Sequence, residues 1–446
     1  MQSAIQHGNF IVRTGVYPLM EKKYNLVELF SGIGSQAKAL KNLGLKINTV
    51  GTCEWDIQAL CAYDAIHEST VVPEEISLLS KEEIYEKLSN YTLSNDGKRP
   101  MDKKILHSYS KPILERILTA IERCNNFVDV SSLTGELIPS DIDILTYSFP
   151  CQDLSNVGAF HGYNKGIDKD SGSRSSLLWQ VGRILTEMKA ENKKLPRYLL
   201  LENVPALLAE RHKANFDEWI QDLKDLGYYS KYFLLNAFDF GLPQNRPRLL
   251  MISVYVGDDL AKESFVKEYL ENRNSKEVIT DYEKSGYCKK YKLHDMLCTE
   301  YSKEKYLEEA LACNPNNTPS RRKIWDENPQ FVLEGYIAND VHDRVRTITT
   351  KQDRNPNSGN LFFDLGGEGK STFRYLTPRE CLLFMGFTEE DYENIISNNP
   401  SHHNTTLFPR DKIIRMAGNS IPVKLLEGIF YQIKLLDEKL TENGYT

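Results

Sequence analysis

Residues 25–55 read NLVELFSGIGSQAKALKNLGLKINTVGTCEW, and this stretch decides the fold. An apolar strand (Asn25 to Phe30) leads into a glycine-containing turn (Ser31 to Gly34), a helix (Gln36 to Leu43) and a second strand (Ile47 to Cys53). Strands that alternate with helices are typical of parallel sheets, because the helix returns the chain to begin the next strand. We therefore predict a strand–helix–strand unit at the start of an α/β sheet.

The same alternation continues along the chain. Apolar runs follow at Ile142 to Tyr147, Tyr198 to Leu201 and Leu249 to Val254, and each ends in polar or turn residues. Helical stretches, Ser176 to Met188 and Phe216 to Leu226, lie between them. These patterns extend the predicted α/β sheet as far as Val254.

Other parts of the chain depart from the alternation. Residues 73–123 carry Glu, Lys, Leu and Ile at helical spacing, which predicts solvent-exposed helices inserted after the second unit. Beyond Val256 the alternation stops, and residues 258–360 mix charged helical stretches with a Pro/Asn segment. Apolar residues at helical spacing in 421–436 predict a closing helix that packs back on the sheet. We expect a first domain of residues 1–255 completed by residues 412–446, and a second, smaller domain of residues 256–411.

Composition limits the classes of protein to be considered. With 446 residues, of which 41% are hydrophobic and 26% charged, the chain is long enough for two domains. The eight cysteines have no regular spacing, which favours reduced thiols over disulfides or a zinc site. The N-terminal residues lack a signal-peptide pattern and no long apolar run occurs, so we expect a cytoplasmic protein that does not enter a membrane. A net charge of −7 gives no sign of a nucleic-acid partner, so any such contact must come from a local basic face.

The glycine turn and the end of the second strand form a candidate nucleotide site. Gly32, Gly34 and Ala37 follow the spacing G-x-G-x-x-G/A between a strand and a helix, where small residues let a ligand approach the backbone. Glu54 ends the next strand, where a carboxylate can bind both ribose hydroxyls, and Trp55 offers a flat face for adenine. A tight turn beside a core tryptophan explains these residues equally well, and so does a dinucleotide-dependent enzyme.

A cysteine marks the carboxyl end of another predicted strand. Cys151 lies in Phe149–Ser155, FPCQDLS, directly after the run that ends at Ser148. A lone cysteine is usually inert packing, but Pro150 restrains the backbone before this thiol and polar residues follow it. Glu202 ends a later strand, and Arg246 and Arg248 precede another. Because ligands of open α/β sheets bind beyond the carboxyl ends of strands, a thiol, a carboxyl and a guanidinium can converge in one crevice.

With these residues in view, the chain resembles the DNA (cytosine-5) methyltransferases of bacteria and phages. The resemblance implies a Rossmann-like sheet that uses S-adenosylmethionine, with a second, smaller target-recognition domain whose content it leaves open. The matching blocks, in chain order, are Glu28–Gly34 (ELFSGIG), Phe149–Ser155 (FPCQDLS), Glu202–Val204 (ENV), Gln244–Arg248 (QNRPR), Leu376–Cys381 (LTPREC), Met385–Phe387 (MGF) and Gly418–Ser420 (GNS).

The resemblance implies a covalent mechanism. Carbon 5 of cytosine is a poor nucleophile, and addition of the Cys151 thiolate to carbon 6 makes it enamine-like before the methyl group is transferred. Glu202 then holds ring N3 and Arg248 holds O2, while Arg246 serves positioning or a phosphate contact. The base must leave the double helix to reach the thiol, and residues 155–175, with several glycines and cations, have the composition of a loop that closes over DNA.

The resemblance also implies how ligands are held. S-adenosylmethionine, leaving as S-adenosylhomocysteine, is the expected cofactor, with no metal. Double-stranded DNA is the expected partner, and the enzyme is expected to act as a monomer. It would belong to a restriction–modification system with a separate endonuclease, or it would be an orphan methylase. Phe30 and Trp55 would contact adenine, although Trp55 could also lie near the methionine end, and Asp129 would bind the adenine amino group. The full set of expected cofactor residues is Phe30, Gly32, Gly34, Glu54, Trp55, Asp129, Val130, Pro150, Asn419 and Ser420. The expected DNA contacts are Gln152, Ser155, Arg174, Gln244 and Arg246.

Two other hypotheses compete with this one. A nicotinamide-dependent oxidoreductase uses the glycine turn and Glu54, but leaves Cys151, Glu202 and Arg248 without a shared task. A DNA-binding protein that has lost catalysis keeps the fold, but every expected catalytic residue is present. Cations of the second domain, among them Arg321, Arg344 and Arg354, could read DNA or belong to a mixed-charge surface. We assign no catalysis to Thr377–Glu380, which reads as a helix capping box.

Overall fold

A six-stranded mixed sheet forms the centre of the computed structural model, which describes residues 22–150, 174–327, 343–354 and 358–445. The strand order is β2-β1-β3-β4-β7-β5. β2, β1, β3 and β4 run parallel, whereas β7 is antiparallel to both of its neighbours. The strands are β1 (Lys23–Leu29), β2 (Lys46–Cys53), β3 (Ile144–Tyr147), β4 (Tyr198–Asn203), β5 (Tyr228–Asn236) and β7 (Pro247–Tyr255).

Both faces of the sheet are buried. Successive side chains of each strand point to opposite faces, so neighbouring residues belong to different cores. Leu26 belongs to the core on one face and Val27 to the core on the other, and in β4 Leu200 and Leu201 divide in the same way. This explains why the strands read as nearly continuous apolar runs in the sequence. The predicted unit of residues 25–55 is confirmed, with its strands paired in parallel through β1 and β2.

Helices cover the two faces. On one face lie α1 (Ser35–Asn42) and the closing helix α17 (Val423–Glu442), which pack against each other. On the other face lie α7 (Leu178–Ala190) and α8 (Glu210–Asp225), whose apolar residues join the core beneath β3 and β4. The closing helix is thus confirmed, and its Asp437 carboxylate accepts hydrogen bonds from Tyr24 and Tyr198 on the sheet.

The inserted segment of residues 73–123 is helical, as predicted. Its longest helix, α6 (Lys111–Arg123), packs against α2 (Ile57–His67), and Arg116 forms a buried ion pair with Asp64 at 3.4 Å. Between the helices, residues 89–102 form a loop that returns to the start of α2. The insertion therefore packs on the sheet's helical layer rather than projecting into solvent, because one face of α6 is apolar.

The segment after β7 begins on the sheet domain. α9 (Leu260–Glu271) packs on β5, and α10 (Ser275–Lys284) packs on α17. Their apolar residues belong to the same core as α1 and α17. Residues 260–284 therefore pack on elements of the predicted first domain, and the predicted division of the chain after residue 255 stays a prediction.

Short elements make up the rest. The predicted capping box at Thr377 is confirmed, and Glu380 also forms a buried ion pair with Arg374 at 2.7 Å. Among the described residues no helix is long and apolar enough to cross a membrane. The other helices are α3 (Glu74–Ser77), α4 (Lys81–Leu88), α5 (Lys103–Ser108), α11 (Leu293–Met296), α12 (Glu304–Ala312), α13 (Pro319–Glu327), α14 (Pro378–Leu383), α15 (Glu389–Ser397) and α16 (Arg410–Asn419), with 3-10 turns Arg174–Leu177, Pro205–Leu208 and Ala237–Phe240. The other strands are β6 (Gln244–Asn245), β8 (Val345–Arg346), β9 (Asn360–Phe362), β10 (Phe373–Tyr375), β11 (Ser401–His402) and β12 (Thr405–Thr406).

Candidate active site

A cavity of about 530 Å³ opens at the carboxyl ends of β1, β2, β3 and β4. Volumes of this size are typical of small-molecule sites. Its walls include Phe30, Gly32, Glu54, Trp55, Asp129, Val130, Pro150, Asn419 and Ser420 from the predicted cofactor set, and Glu202, Arg246 and Arg248 from the predicted catalytic set. Residues predicted for two ligands therefore lie around one continuous space.

The loop after β1 forms the floor of the cavity. Phe30 and Gly32 both have left-handed backbones, with φ of 58° and 55°. This conformation costs a residue other than glycine roughly 1 kcal/mol or more, and such strain is found at ligand sites. At Gly32 an added Cβ would meet nothing within 4 Å, so the backbone there faces open space. The loop exposes peptide groups to a ligand, as the glycine spacing predicts.

Glu54 ends β2 and is held in place by backbone amides. The amide of Gly32 donates to its Oε2 at 3.0 Å, and the amide of Asp56 donates to its Oε1 at 2.8 Å. Burial, with a smaller contribution from the nearby Asp56 charge, raises the pKa of Glu54 to about 7, although these amide hydrogen bonds oppose the shift. The carboxyl group is thus oriented before any ligand arrives.

Asn126 joins this wall to the segment that carries Asp129. Its side chain accepts a hydrogen bond from the Glu54 amide at 3.0 Å and another from the Val128 amide at 2.8 Å. Val128 has a φ of 66°, which is strained for a β-branched residue. Asp129 and Val130 follow it directly on the cavity wall. Sequence reasoning missed Asn126, because its link to the Glu54 amide joins backbone groups that lie far apart in the chain.

Gly34 is closely packed against α2. It is absent from the cavity wall, and a Cβ there would lie 2.3 Å from His67 Nε2 and 2.7 Å from Tyr63 Cε2. Its φ of 77° also favours glycine. Close packing between the loop and α2 therefore explains why position 34 is a glycine, and its predicted contact with the cofactor stays a prediction.

Glu202 and Arg248 are in contact with each other on the cavity wall. Glu202 ends β4 and Arg248 begins β7, and because the two strands pair antiparallel their side chains meet, with Nε to Oε1 at 2.8 Å. Burial raises the pKa of Glu202, while the charges of Arg248 and Arg246 oppose that shift. Both side chains are about one-tenth exposed, at 11% and 12%. The site thus presents a largely dehydrated carboxyl beside a fixed cation.

Pro150 lines the same cavity as Glu202 and Arg248. It lines the cavity together with Ser148 and Phe149, and the Asn203 side-chain amide donates to the Phe149 carbonyl at 3.1 Å. Asn203 therefore fixes the end of β3 to the end of β4. The predicted nucleophile Cys151 follows Pro150 directly, but Cys151, Gln152 and Ser155 lie outside the described residues, as do most of the predicted closing loop and the side chain of Arg174.

Arg246 is an internal residue that holds three backbone segments together. Its guanidinium donates to the carbonyls of Ile348 at 2.7 Å, Gly418 at 2.7 Å and Ser420 at 2.8 Å, and the side chain is 1% exposed. Of the two roles considered for it, this placement corresponds to positioning. The predicted DNA contact by Arg246 is corrected accordingly, because the guanidinium is directed to carbonyls inside the protein.

Gln244 also lies inside the protein. Its side-chain amide donates to the Phe384 carbonyl at 2.8 Å and accepts from the Ile348 amide at 3.1 Å, and the residue is fully buried. The predicted DNA contact by Gln244 is therefore corrected, since its side chain does not reach the surface. Together with Arg246 it attaches residues 345–348, from the region predicted to recognise DNA, to the edge of the cavity.

Asn419 and Ser420 lie where α16 ends. Asn419 is exposed at the cavity wall, and the Ser420 hydroxyl donates to the Met416 carbonyl at 2.8 Å. Within the described ranges, no group of three or more His, Cys, Asp or Glu side chains is placed to hold a metal ion.

The fold and this cavity define an α/β methyltransferase with a Rossmann-like sheet. The chain belongs to the C-5 cytosine-specific DNA methylase family, whose model matches residues 102–435. It is a DNA (cytosine-5) methyltransferase, of a family that uses S-adenosylmethionine.

Curated relatives agree over nearly the whole chain. The orphan methyltransferase M.SssI of Spiroplasma monobiae is 31% identical over 422 residues, covering 92% of this chain and 97% of the relative. The type II methyltransferase M2.ScrFI of Lactococcus lactis subsp. cremoris is also 31% identical, covering 91% and 98%. Among solved structures, the S. pombe Dnmt2 methyltransferase is 18% identical with a TM-score of 0.54, covering 94% of this chain and 99% of that one, which supports the fold.

Proposed function

We propose that the cavity binds S-adenosylmethionine at the end lined by Gly32 and Glu54, and a flipped-out cytosine at the end lined by Glu202 and Arg248. The observation that carries this proposal is the Glu202–Arg248 pair at 2.8 Å, which opens into the same cavity as Glu54 and Pro150. One pocket with two chemically different ends suits a reaction between two bound molecules, because proximity replaces a collision in solution.

The residues present suit the cofactor. The amides of Gly32 and Asp56 fix both carboxylate oxygens of Glu54, so this carboxylate can accept hydrogen bonds from the two ribose hydroxyls. Phe30 and Trp55 supply aromatic surface for adenine, and Asp129 and Val130 lie where its amino group can be bound. Asn419, Ser420 and Pro150 border the same space. When bound, the cofactor supplies a methyl group on a positively charged sulfur, leaves as S-adenosylhomocysteine and needs no metal.

In the proposed mechanism the chain acts on the cytosine ring. The Cys151 thiolate forms a bond to carbon 6, and the displaced electron pair of the 5,6 double bond gives carbon 5 enamine character while N3 gains a proton. We assign the donation of that proton to Glu202, which lies beside Arg248 and whose pKa is raised by burial. Arg248 holds O2 through its guanidinium. After carbon 5 has been methylated, its proton passes to water, the 5,6 double bond re-forms as the thiolate leaves carbon 6, and N3 returns its proton to Glu202.

DNA contacts complete the proposal. The cytosine must be rotated out of the duplex, because carbon 6 is inaccessible within a base stack. We assign DNA contacts to Gln152, Ser155 and Arg174, and recognition of the target sequence to the second domain. The enzyme acts as a monomer, either as an orphan methylase or with a separate restriction endonuclease, and sedimentation with and without DNA will test its oligomeric state.

A covalent trap tests the catalytic assignment. DNA that contains 5-fluorocytosine, incubated with S-adenosylmethionine, is expected to form a stable adduct with the wild-type enzyme, because fluorine at carbon 5 blocks the final elimination. Cys151→Ser is expected to form none. Cys288→Ser is the matched control, since Cys288 is a partly buried thiol outside the cavity. An adduct with Cys151→Ser, detected by denaturing electrophoresis, would refute the assigned nucleophile.

A further inference from the structure

The loop between α4 and α5 contributes to the cofactor end of the cavity. Thr92, Gly97 and Pro100 line the space together with Trp55 and Asp56. The loop is joined to the end of β2 by two backbone hydrogen bonds, from the Ser94 amide to the Trp55 carbonyl at 2.8 Å and from the Ile57 amide to the Ser94 carbonyl at 2.9 Å. The inserted helices therefore deliver a piece of chain to the pocket wall.

This loop is internally braced. The buried Ser94 hydroxyl donates to the Arg99 carbonyl at 2.7 Å and accepts from the Gly97 amide at 3.0 Å. Gly97 has a φ of 64°, and a Cβ there would lie 3.1 Å from Asp56 Oδ2. The loop thus approaches Asp56 closely, and its position depends on where that carboxylate is held.

Arg415 on α16 holds that carboxylate. Its Nη2 lies 2.7 Å from Asp56 Oδ2 and donates to Gln58 Oε1 at 3.0 Å, while Nη1 donates to the Asn95 carbonyl at 3.4 Å. The guanidinium is 14% exposed. The same helix ends in Asn419, and its Met416 lines the cavity. One side chain therefore joins three walls of the pocket: the end of β2, the inserted loop and the end of α16.

We propose that Arg415 is a positioning residue for the cofactor, which keeps the loop Thr92–Pro100 and the Asn419–Ser420 segment at a fixed spacing around the adenosyl group. The inserted helices then have a function, namely to supply the outer wall of the cofactor pocket. The inference rests on the proposed cofactor site. It predicts that loss of Arg415 weakens cofactor binding while the base-binding end, with Glu202 and Arg248, is left intact.

Binding of S-adenosylhomocysteine to the full chain, measured by calorimetry, tests this. Arg415→Ala is expected to bind roughly tenfold more weakly, because hydrogen bonds from a charged group to three partners are lost. The KM for S-adenosylmethionine is expected to rise by a similar factor, with kcat and DNA affinity little changed. Asp56→Asn is the second variant; asparagine can keep the N-cap hydrogen bond to Gln58 while the ion pair is lost.

Arg123→Ala is the matched control. Arg123 is likewise a partly buried arginine that joins a buried aspartate, Asp64 at 3.0 Å, to loop carbonyls at Ser69 and Val71, but it lies outside the cavity. It is expected to lose thermal stability without losing affinity. Wild-type affinity in Arg415→Ala and Asp56→Asn, or an equal loss in Arg123→Ala, would overturn the inference. Glu54→Ala separates the two proposals: if it binds like the wild type, the cofactor site itself fails and the inference with it.

Discussion

At the scale of single residues, Glu202 is governed by two opposing influences. Burial disfavours its charged form, whereas Arg248 in direct contact favours it. The net effect raises the pKa of the carboxyl, which suits a group that must hold a proton before it donates one. The sequence could predict that Glu202 and Arg248 converge, because both lie at strand ends. It could not predict which influence prevails, because that depends on how closely the cavity walls pack.

Replacement of Glu202 by Gln tests the proton-donor role. Glutamine has nearly the same shape and can hydrogen-bond, but its amide cannot deliver a proton to N3. We expect kcat to fall by about 100-fold or more, with the Kd for DNA changed little. Single-turnover methylation and fluorescence anisotropy measure the two quantities. The control is Glu271→Gln at the exposed ion pair with Lys231. Unchanged turnover in Glu202→Gln would rule out the role.

Glu28 gives a second residue-level prediction, on stability and pH. It is fully buried under the loop that follows β1, where its carboxyl group accepts hydrogen bonds from the Ala37 amide and the Tyr63 hydroxyl. Burial raises the pKa of Glu28 from 4.5 to about 7, against the effect of these hydrogen bonds. Between these two values the folded state holds a proton that the unfolded state releases, so stability falls as pH rises.

Glu28→Gln has no such titration. The wild type should lose stability as pH rises from about 4.5 to 7, whereas Glu28→Gln should not. The free energy of unfolding of Glu28→Gln minus that of the wild type should therefore increase over this range by on the order of 3 kcal/mol. Urea unfolding at several pH values measures this difference. The surface variant Glu122→Gln is the control. A constant difference between Glu28→Gln and wild type across that range would show that the buried carboxyl does not titrate as stated.

At the scale of elements, the QNRPR block has buried side chains although its sequence is polar. Its sequence, Gln244 to Arg248, suggests a basic surface strip, yet Gln244 and Arg246 are buried and Arg248 faces the cavity. The reason is the pairing of β6 with β8, which brings residues 345–348 over this strand. A partner strand of 2 residues, distant in the chain, leaves no periodic signal to predict from.

Arg246→Lys tests the positioning role at this junction. A lysine ammonium is a single point and cannot reach the carbonyls of Ile348, Gly418 and Ser420 in the geometry of the guanidinium. We expect a loss of about 2 kcal/mol in the free energy of unfolding and a higher KM for S-adenosylmethionine. Urea unfolding and steady-state kinetics provide the two measurements.

The control for Arg246→Lys comes from the same region. Arg344 lies on the surface, paired with Asp343 at 2.7 Å and stacked on Phe238, so Arg344→Lys should change stability by less than about 0.5 kcal/mol. If both lysine variants behaved alike, the junction would not depend on the three carbonyl contacts.

At the scale of the whole molecule, the sequence predicted the parallel strands of the sheet but not the packing of the segment that follows β7. The parallel half of the sheet follows from strand–helix alternation, which is a local pattern. The antiparallel β7 between β4 and β5, and the packing of α9 on β5, are long-range pairings, and the charged surface of α9 and α10 masked their few buried residues. The loop Thr92–Pro100 escaped prediction for the same reason, since only the folded chain brings it to Asp56.

The packing of residues 260–284 on the sheet and on α17 leads to a prediction about target recognition. Val266, Leu270, Val278 and Tyr282 belong to the core shared with α1 and α17, so replacing residues 256–371 as one block removes part of the sheet domain's own core. Replacing residues 299–371 keeps these four residues in place and exchanges, among the described residues, only Val345, Ile348 and Leu361 of that core. We therefore expect the shorter graft, taken from a relative that methylates a different DNA sequence, to fold and to adopt the donor's site.

Bisulfite sequencing of DNA methylated by each purified chimaera gives the recognised sequence, and thermal unfolding reports whether it folds. The longer graft is the control and should unfold at a lower temperature, because each large core side chain that is not matched costs about 2 to 5 kcal/mol. Glu309 lies within the shorter graft and pairs with Arg379 outside it, at 2.7 Å. A donor with glutamate at position 309 is therefore preferred, because it keeps this ion pair. A folded shorter chimaera that still methylates the original site would place recognition outside residues 299–371.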